Sequence, residues 1–119
     1  MKAAIYSQKK DLDTFLYLNK FISELALRDV SVVLHSEMAE SLNFSKDFDT
    51  FSGKDELKSK HVNIVFSFGG DGTILNALTF IQDLEIPIIG VNTGRLGFLA
   101  NFRKDQIFDE LDSMLKKEI

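Results

Sequence analysis

Val62-Asn63-Ile64-Val65-Phe66-Ser67-Phe68 runs without a break into Gly69-Gly70-Asp71-Gly72-Thr73, and Ile74, Leu75, Leu78 and Ile81 follow at helical spacing. The first part is rich in β-branched and aromatic side chains, the composition of a buried strand. The last part sets apolar residues three and four apart, one face of a helix. A strand that turns straight into a helix through glycines is the unit from which parallel α/β sheets are built.

Working outward, the same alternation recurs. Ala3 to Tyr6 reads as a short buried strand that ends at Ser7-Gln8. Asp11 is placed to cap a helix in which Phe15, Leu18, Ile22 and Leu25 share a face, running to about Arg28. Val30 to Leu34 predicts a second strand and Glu37 to Leu42 a short helix. Residues 43–60 are the least patterned, with Ser, Lys, Asp and Gly53 interleaved with Phe44, Phe48 and Phe51, and predict an irregular stretch pinned by those aromatics. Downstream, Pro87 precedes the strand Ile88-Ile89-Gly90-Val91, where it spoils no ladder hydrogen bond. Residues 92–100 read as a loop, and Ile107, Leu111, Met114 and Leu115 mark a helix from about Lys104 to Lys117. The expected fold is α/β and Rossmann-like, a mainly parallel open sheet with helices on both faces.

The 119 residues suit one domain. A formal net charge of −4 without a long block of either sign argues against a general affinity for nucleic acid or for an anionic membrane. No apolar run reaches the length of a membrane span or of a signal peptide. With no cysteine there is no disulfide framework, and cytoplasm is the default expectation. His35 and His61 lack metal-ligand spacing and are expected to be ordinary structural or surface residues.

Chemistry concentrates at Gly69 to Thr73. In open α/β sheets ligands bind beyond the carboxyl ends of the strands, where loops enter helices. Glycines there let a phosphate or ribose approach the backbone, and the helix offers unpaired N–H groups to an anion. Thr73 adds a hydroxyl donor or caps the helix. Asp71 is the odd member, because a carboxylate repels phosphate. It makes sense if it accepts a hydrogen bond from a substrate hydroxyl and takes its proton as that oxygen attacks phosphorus. An ordinary Asp, with a pKa of ~3.9, is a weak base, so orienting the hydroxyl is a second role and holding a magnesium ion a third. The bland alternative is a tight turn with Asp71 as helix cap. Two familiar phosphate motifs do not fit. The Walker pattern needs Lys after its last glycine, and Leu75 stands where the dinucleotide fingerprint needs its third glycine.

Gly69-Gly70-Asp71-Gly72-Thr73 resembles the signature shared by NAD kinases, diacylglycerol and sphingosine kinases and, more loosely, phosphofructokinases. Gly90-Val91-Asn92-Thr93-Gly94-Arg95-Leu96-Gly97-Phe98-Leu99 is similar to the NAD kinase segment after the next strand, which narrows the choice. The resemblance implies phosphoryl transfer from ATP, or polyphosphate, to the 2′-hydroxyl of the adenosine ribose of NAD, with a divalent metal such as Mg2+. It implies Asp71 as proton acceptor, and Gly70, Gly72, Thr73, Leu75, Asn76, Phe98 and Leu99 as substrate-binding positions. Gly72 would touch NAD through its backbone, and Leu75, Phe98 and Leu99 would line an adenine pocket. Gly69 and Arg95 are candidate phosphate contacts, and no protein metal ligand is assigned. Asn76 departs from the pattern, since family members often carry a basic residue there. The family also implies a β-rich carboxyl-terminal domain, absent from these residues, that completes the NAD site and supports a homo-oligomer. The isolated chain is therefore expected to have little activity. A lipid kinase domain and a non-catalytic nucleotide-binding module are the competing readings.

Overall fold

The computed structural model describes residues 1–93 and 102–118, the last two by backbone alone. Strands β1 (Lys2–Ser7), β2 (Ser31–His35), β3 (Asp49–Phe51), β4 (Ile64–Gly69), β5 (Ile88–Asn92) and β6 (Phe102–Arg103) form one sheet in the order β3-β2-β1-β4-β5-β6. Every neighbouring pair is parallel. Successive strands step outward from β1 to β3, and the chain then returns to β1's other side with β4 and steps away again. The order thus reverses between β1 and β4, which is the topological switch point of a doubly wound sheet.

Helices α1 (Leu12–Ala26), α2 (Ser36–Ser41), α3 (Lys54–Ser59), α4 (Asp71–Ile81) and α5 (Ile107–Glu118) cover the sheet. Alternate strand residues point to opposite faces. Ala3, Ile5, Phe66 and Phe68 meet Leu18, Phe21 and Leu25 of α1, Met38 of α2 and Leu111 of α5 on one face. Ala4, Val33, Phe51 and Val65 meet Leu57 of α3 and Ile81 of α4 on the other. Phe21 is the centre of the first layer, its ring edge-on to Phe66 at 4.9 Å and to Phe68 at 4.8 Å between centroids. Helices lie on both faces as expected, so the strands read as continuous apolar runs rather than alternating ones.

Asp11 caps α1, its carboxylate accepting from the Thr14 N–H at 2.8 Å. Residues 43–60 depart from expectation. They contain β3 and α3, although Phe44, Phe48 and Phe51 do pin the segment to the core. A strand of three residues is too short to show a period, and it exists because β2 offers it an edge. The short β6 is likewise made by β5, and α5 begins at Ile107 rather than near Lys104.

The Tyr17 hydroxyl joins α1 to the turn between β6 and α5 by donating to the Lys104 carbonyl at 2.7 Å. Burial pushes this phenol above its ordinary value of 10.0, and Asp105 adds to the shift. The unfolded chain ionises first, so stability falls as the pH rises past 10.0. Tyr17→Phe is expected to cost about 1 kcal/mol at neutral pH and to flatten that alkaline decline. Urea denaturation at neutral and alkaline pH checks both; a variant with the wild-type alkaline slope would assign the titration elsewhere.

Candidate functional site at the switch point

The carboxyl ends of β1 and β4 lie side by side, with Ser7 in register with Phe68. From β4 the chain passes through Gly69 and Gly70 into α4, whose amino-terminal cap is Gly70 with no side-chain cap hydrogen bond. Asp71 is the first helical residue and half-buried, so it does not occupy the capping position that the bland reading gave it. A carboxylate in the first turn is favoured by the helix dipole.

Gly69 is required by the turn itself. Its φ is +153°, and a Cβ built on it would stand 2.3 Å from the Thr73 Oγ1 and 2.8 Å from the Thr73 Cβ. This close approach lets Thr73 pack down, buried, and donate its hydroxyl to the Gln8 Oε1 at 2.9 Å. Thr73 is therefore a hydroxyl donor to the loop that leaves β1, not a cap. Gly70 and Gly72 differ, because a Cβ at either meets nothing within 4 Å. The fold has room for a side chain at both, so any need for glycine there comes from something that approaches from outside.

Asn76, one turn further along α4, donates from its Nδ2 to the Tyr6 hydroxyl. Thr73 and Asn76 thus pin the start of α4 to β1 through two side-chain bonds. Leu75 is not core: it is 55% exposed and shares an exposed face with Leu78 at 47%. Arg95, Phe98 and Leu99 lie outside the described residues. Of the ten sequence-predicted positions, Gly69, Gly70, Asp71, Gly72, Thr73, Leu75 and Asn76 lie together on one turn and the helix it starts.

Two hollows flank this edge of the sheet. On the α1 face a cavity of about 150 Å³ is lined by Lys9, Asp11, Thr14, Tyr17 and Lys104. On the α4 face a cavity of about 510 Å³ is lined by Tyr6, Gln8, Lys10, His35, Asn76 and Phe80 among others. Tyr6, His35 and Phe80 form a cluster of rings with centroids 5.0 Å apart pairwise. Burial pushes His35 below the usual histidine range; Glu37 opposes the shift and Lys10 adds to it. Its imidazole is therefore neutral at pH 7. Tyr6, Gln8 and Phe80 were missed as site residues, and His35 was read as ordinary; the one signal in the sequence is that Tyr6 and Gln8 flank the end of β1 and Phe80 lies in the last turn of the motif helix. His61 is exposed in a turn after α3. Among the described residues no three His, Cys, Asp or Glu side chains converge as a metal site, and no helix is long and apolar enough to cross a membrane.

A doubly wound parallel sheet with an acidic glycine turn at its switch point defines an α/β domain of the class that binds ligands beyond the carboxyl ends of its strands. Residues 8–119 match the family model of the ATP-NAD kinase N-terminal domain, and the chain belongs to that family. It is 36% identical to an NAD kinase of Christiangramia forsetii over 122 residues, covering 99% of this chain and 41% of that protein. An NAD kinase of Flavobacterium psychrophilum is 32% identical over the same shares. The chain thus spans about two-fifths of the length of these curated relatives. Yeast NADH kinase, solved as a complex with NADH, has the same fold, with a TM-score of 0.69 at 21% identity over 99% of this chain and 37% of that one.

Proposed function

We propose that this chain is the amino-terminal, nucleotide-binding domain of an NAD kinase that transfers the terminal phosphoryl group of ATP to the 2′-hydroxyl of the adenosine ribose of NAD. The observation that carries the reading is an aspartate at the head of α4, on the switch point of a sheet that matches the family over residues 8–119. The attacking group is the ribose 2′-oxygen. Its bond to the γ-phosphorus forms as the bond from that phosphorus to the bridging oxygen of ADP breaks. Asp71 accepts the hydroxyl's hydrogen bond, aims the oxygen and takes the proton. The products are NADP, ADP and a proton. NAD and NADH carry the same adenosine ribose, so the attacking group does not separate them.

The open space in front of Gly70 and Gly72 supports close passage of the substrate along the backbone. Exposed Leu75 fits a wall of the adenine pocket, with Phe98 and Leu99 as its other parts, and Arg95 suits a phosphate contact. A divalent ion, Mg2+ by expectation, would be held by the donor's phosphates and water, would offset the phosphates' charge, and needs no cage of protein ligands. A second, β-rich domain completes the NAD site, and the complete protein is a cytoplasmic homo-oligomer.

The test is NADP formation from NAD, ATP and Mg2+ by the complete protein and by residues 1–119 alone. Activity in the former and little in the latter is expected. Absence of activity in the complete protein with either ATP or polyphosphate would sink NAD phosphorylation, while full activity in the short chain would overturn the two-domain account.

A further inference from the structure

We propose that Tyr6 and Gln8, both outside the glycine motif, are positioning residues for the phosphoryl transfer, which through Asn76 and Thr73 set the direction of the Asp71 carboxylate. The proposal rests on the kinase reading and on Asp71 as its base.

The need for such residues follows from how α4 begins. Asp71 stands between Gly69-Gly70 and Gly72, and glycine has the most backbone freedom of any residue. The cap, Gly70, offers no side chain to the first N–H groups of the helix. A reacting group has to be held within roughly 0.5 Å and 10–20° of its productive geometry, and a misplacement of about 1 Å can cost about a hundredfold in rate. The glycines that let a substrate approach thus leave the carboxylate's own backbone weakly determined by local chemistry. Its precision has to come from elsewhere in the fold.

Two bonds from the end of β1 supply it. Buried Thr73 donates to the Gln8 Oε1 at 2.9 Å, and the Asn76 Nδ2 donates to the Tyr6 hydroxyl. They cross 65 and 70 residues of chain, so they tie the helix head to the sheet rather than to itself. Tyr6 is the stiffer anchor. It is 4% exposed, its backbone pairs with Ser67 of β4, and its ring stands edge-on to His35 and to Phe80 at 5.0 Å. Phe80 belongs to α4, so Tyr6 grips that helix by a ring contact as well as by its hydroxyl.

Helix geometry separates this grip from the chemistry. At 3.6 residues per turn, Thr73, Asn76 and Phe80 fall on one flank of α4, and Asp71, Leu75 and Leu78 fall on the other. Tyr6 and Gln8 therefore hold the flank away from the carboxylate. They act on Asp71 through the helix, and their loss loosens or turns its head without removing a charge.

The experiment measures kcat, and KM for ATP and for NAD, in the complete protein. Tyr6→Phe keeps the ring and removes the hydroxyl, and Gln8→Met keeps the length and removes the acceptor. Each is made in the wild type and in Asp71→Asn, with melting curves to confirm folding. In the wild-type background kcat is expected to fall about tenfold, inside the ~hundredfold cost of a 1 Å misplacement, with both KM values within about twofold. In Asp71→Asn the same changes should lower kcat by less than about twofold, because residues that act through one group are non-additive. A general loosening of the fold would lower both backgrounds alike, and that result overturns the proposal. So does a loss expressed in KM for ATP, which would mark a contact with the donor. A kcat within about twofold of wild type in either folded variant removes that residue from the role. These outcomes leave the kinase reading intact, whereas a wild-type protein that forms no NADP brings down both. Gln8 is exposed, so Gln8→Met carries the comparison should Tyr6→Phe fail to fold.

Discussion

Asp71→Asn in the complete protein is expected to lower kcat for NADP formation by about 10²- to 10⁴-fold, the usual contribution of a positioned general base. The carboxamide keeps the size of the side chain and still accepts a hydrogen bond through its oxygen, so KM for NAD should move little. What it loses is the capacity to take the ribose proton as the oxygen–phosphorus bond forms. Steady-state kinetics with a matched melting curve checks this. A variant that retains a rate within about threefold of wild type, far inside that range, would remove Asp71 from the chemistry and leave it a helix-terminal charge.

Gly69→Ala should unfold the domain's working edge rather than slow its chemistry. Two costs act together at this residue. A φ of +153° is a backbone region that side chains rarely adopt, and the new Cβ would stand 2.3 Å from the Thr73 Oγ1 and 2.8 Å from its Cβ. Thr73 cannot swing clear, since its Cβ is fixed to the helix backbone and its hydroxyl is buried against Gln8. Backbone strain of about 1–3 kcal/mol and a similar cost of overpacking give an expected loss of about 2–6 kcal/mol. Gly72→Ala is the informative contrast. Space is open there, and alanine at a helical position is favoured by up to about 1 kcal/mol. Its melting temperature should hold or rise, while crowding of about 1–3 kcal/mol in the path of the ligand weakens NAD binding roughly tenfold or more. Equal stability of the Gly69 and Gly72 variants would contradict the assignment of one glycine to the fold and the other to the ligand.

The two glycines look alike in the sequence. Both belong to the motif Gly69-Gly70-Asp71-Gly72-Thr73, and nothing local distinguishes a glycine demanded by a neighbour's Cβ from one with open space before it. Residues 43–60 carry a related lesson. Their phenylalanines announced burial, but β3 and α3 did not show, because three strand residues and six helical ones are too few to display a period. Those elements arise from the edge that β2 provides.

Local chemistry by itself determined the strand that enters Gly69, the helix that follows it and the cap at Asp11, and it singled out Asp71 as the candidate for the reactive group. Each depends on residues within one or two turns of one another, where side-chain type and spacing set burial and hydrogen bonding directly. The reversal of strand order between β1 and β4 was decided only by the tertiary structure. That reversal carries Gln8 to Thr73 and Tyr6 to Asn76 across 65 and 70 residues of chain, and it assembles Tyr6, His35 and Phe80 into one wall. Contacts of such separation depend on which strands pair across the sheet, and periodicity along a segment reports which face is buried but not what it is buried against.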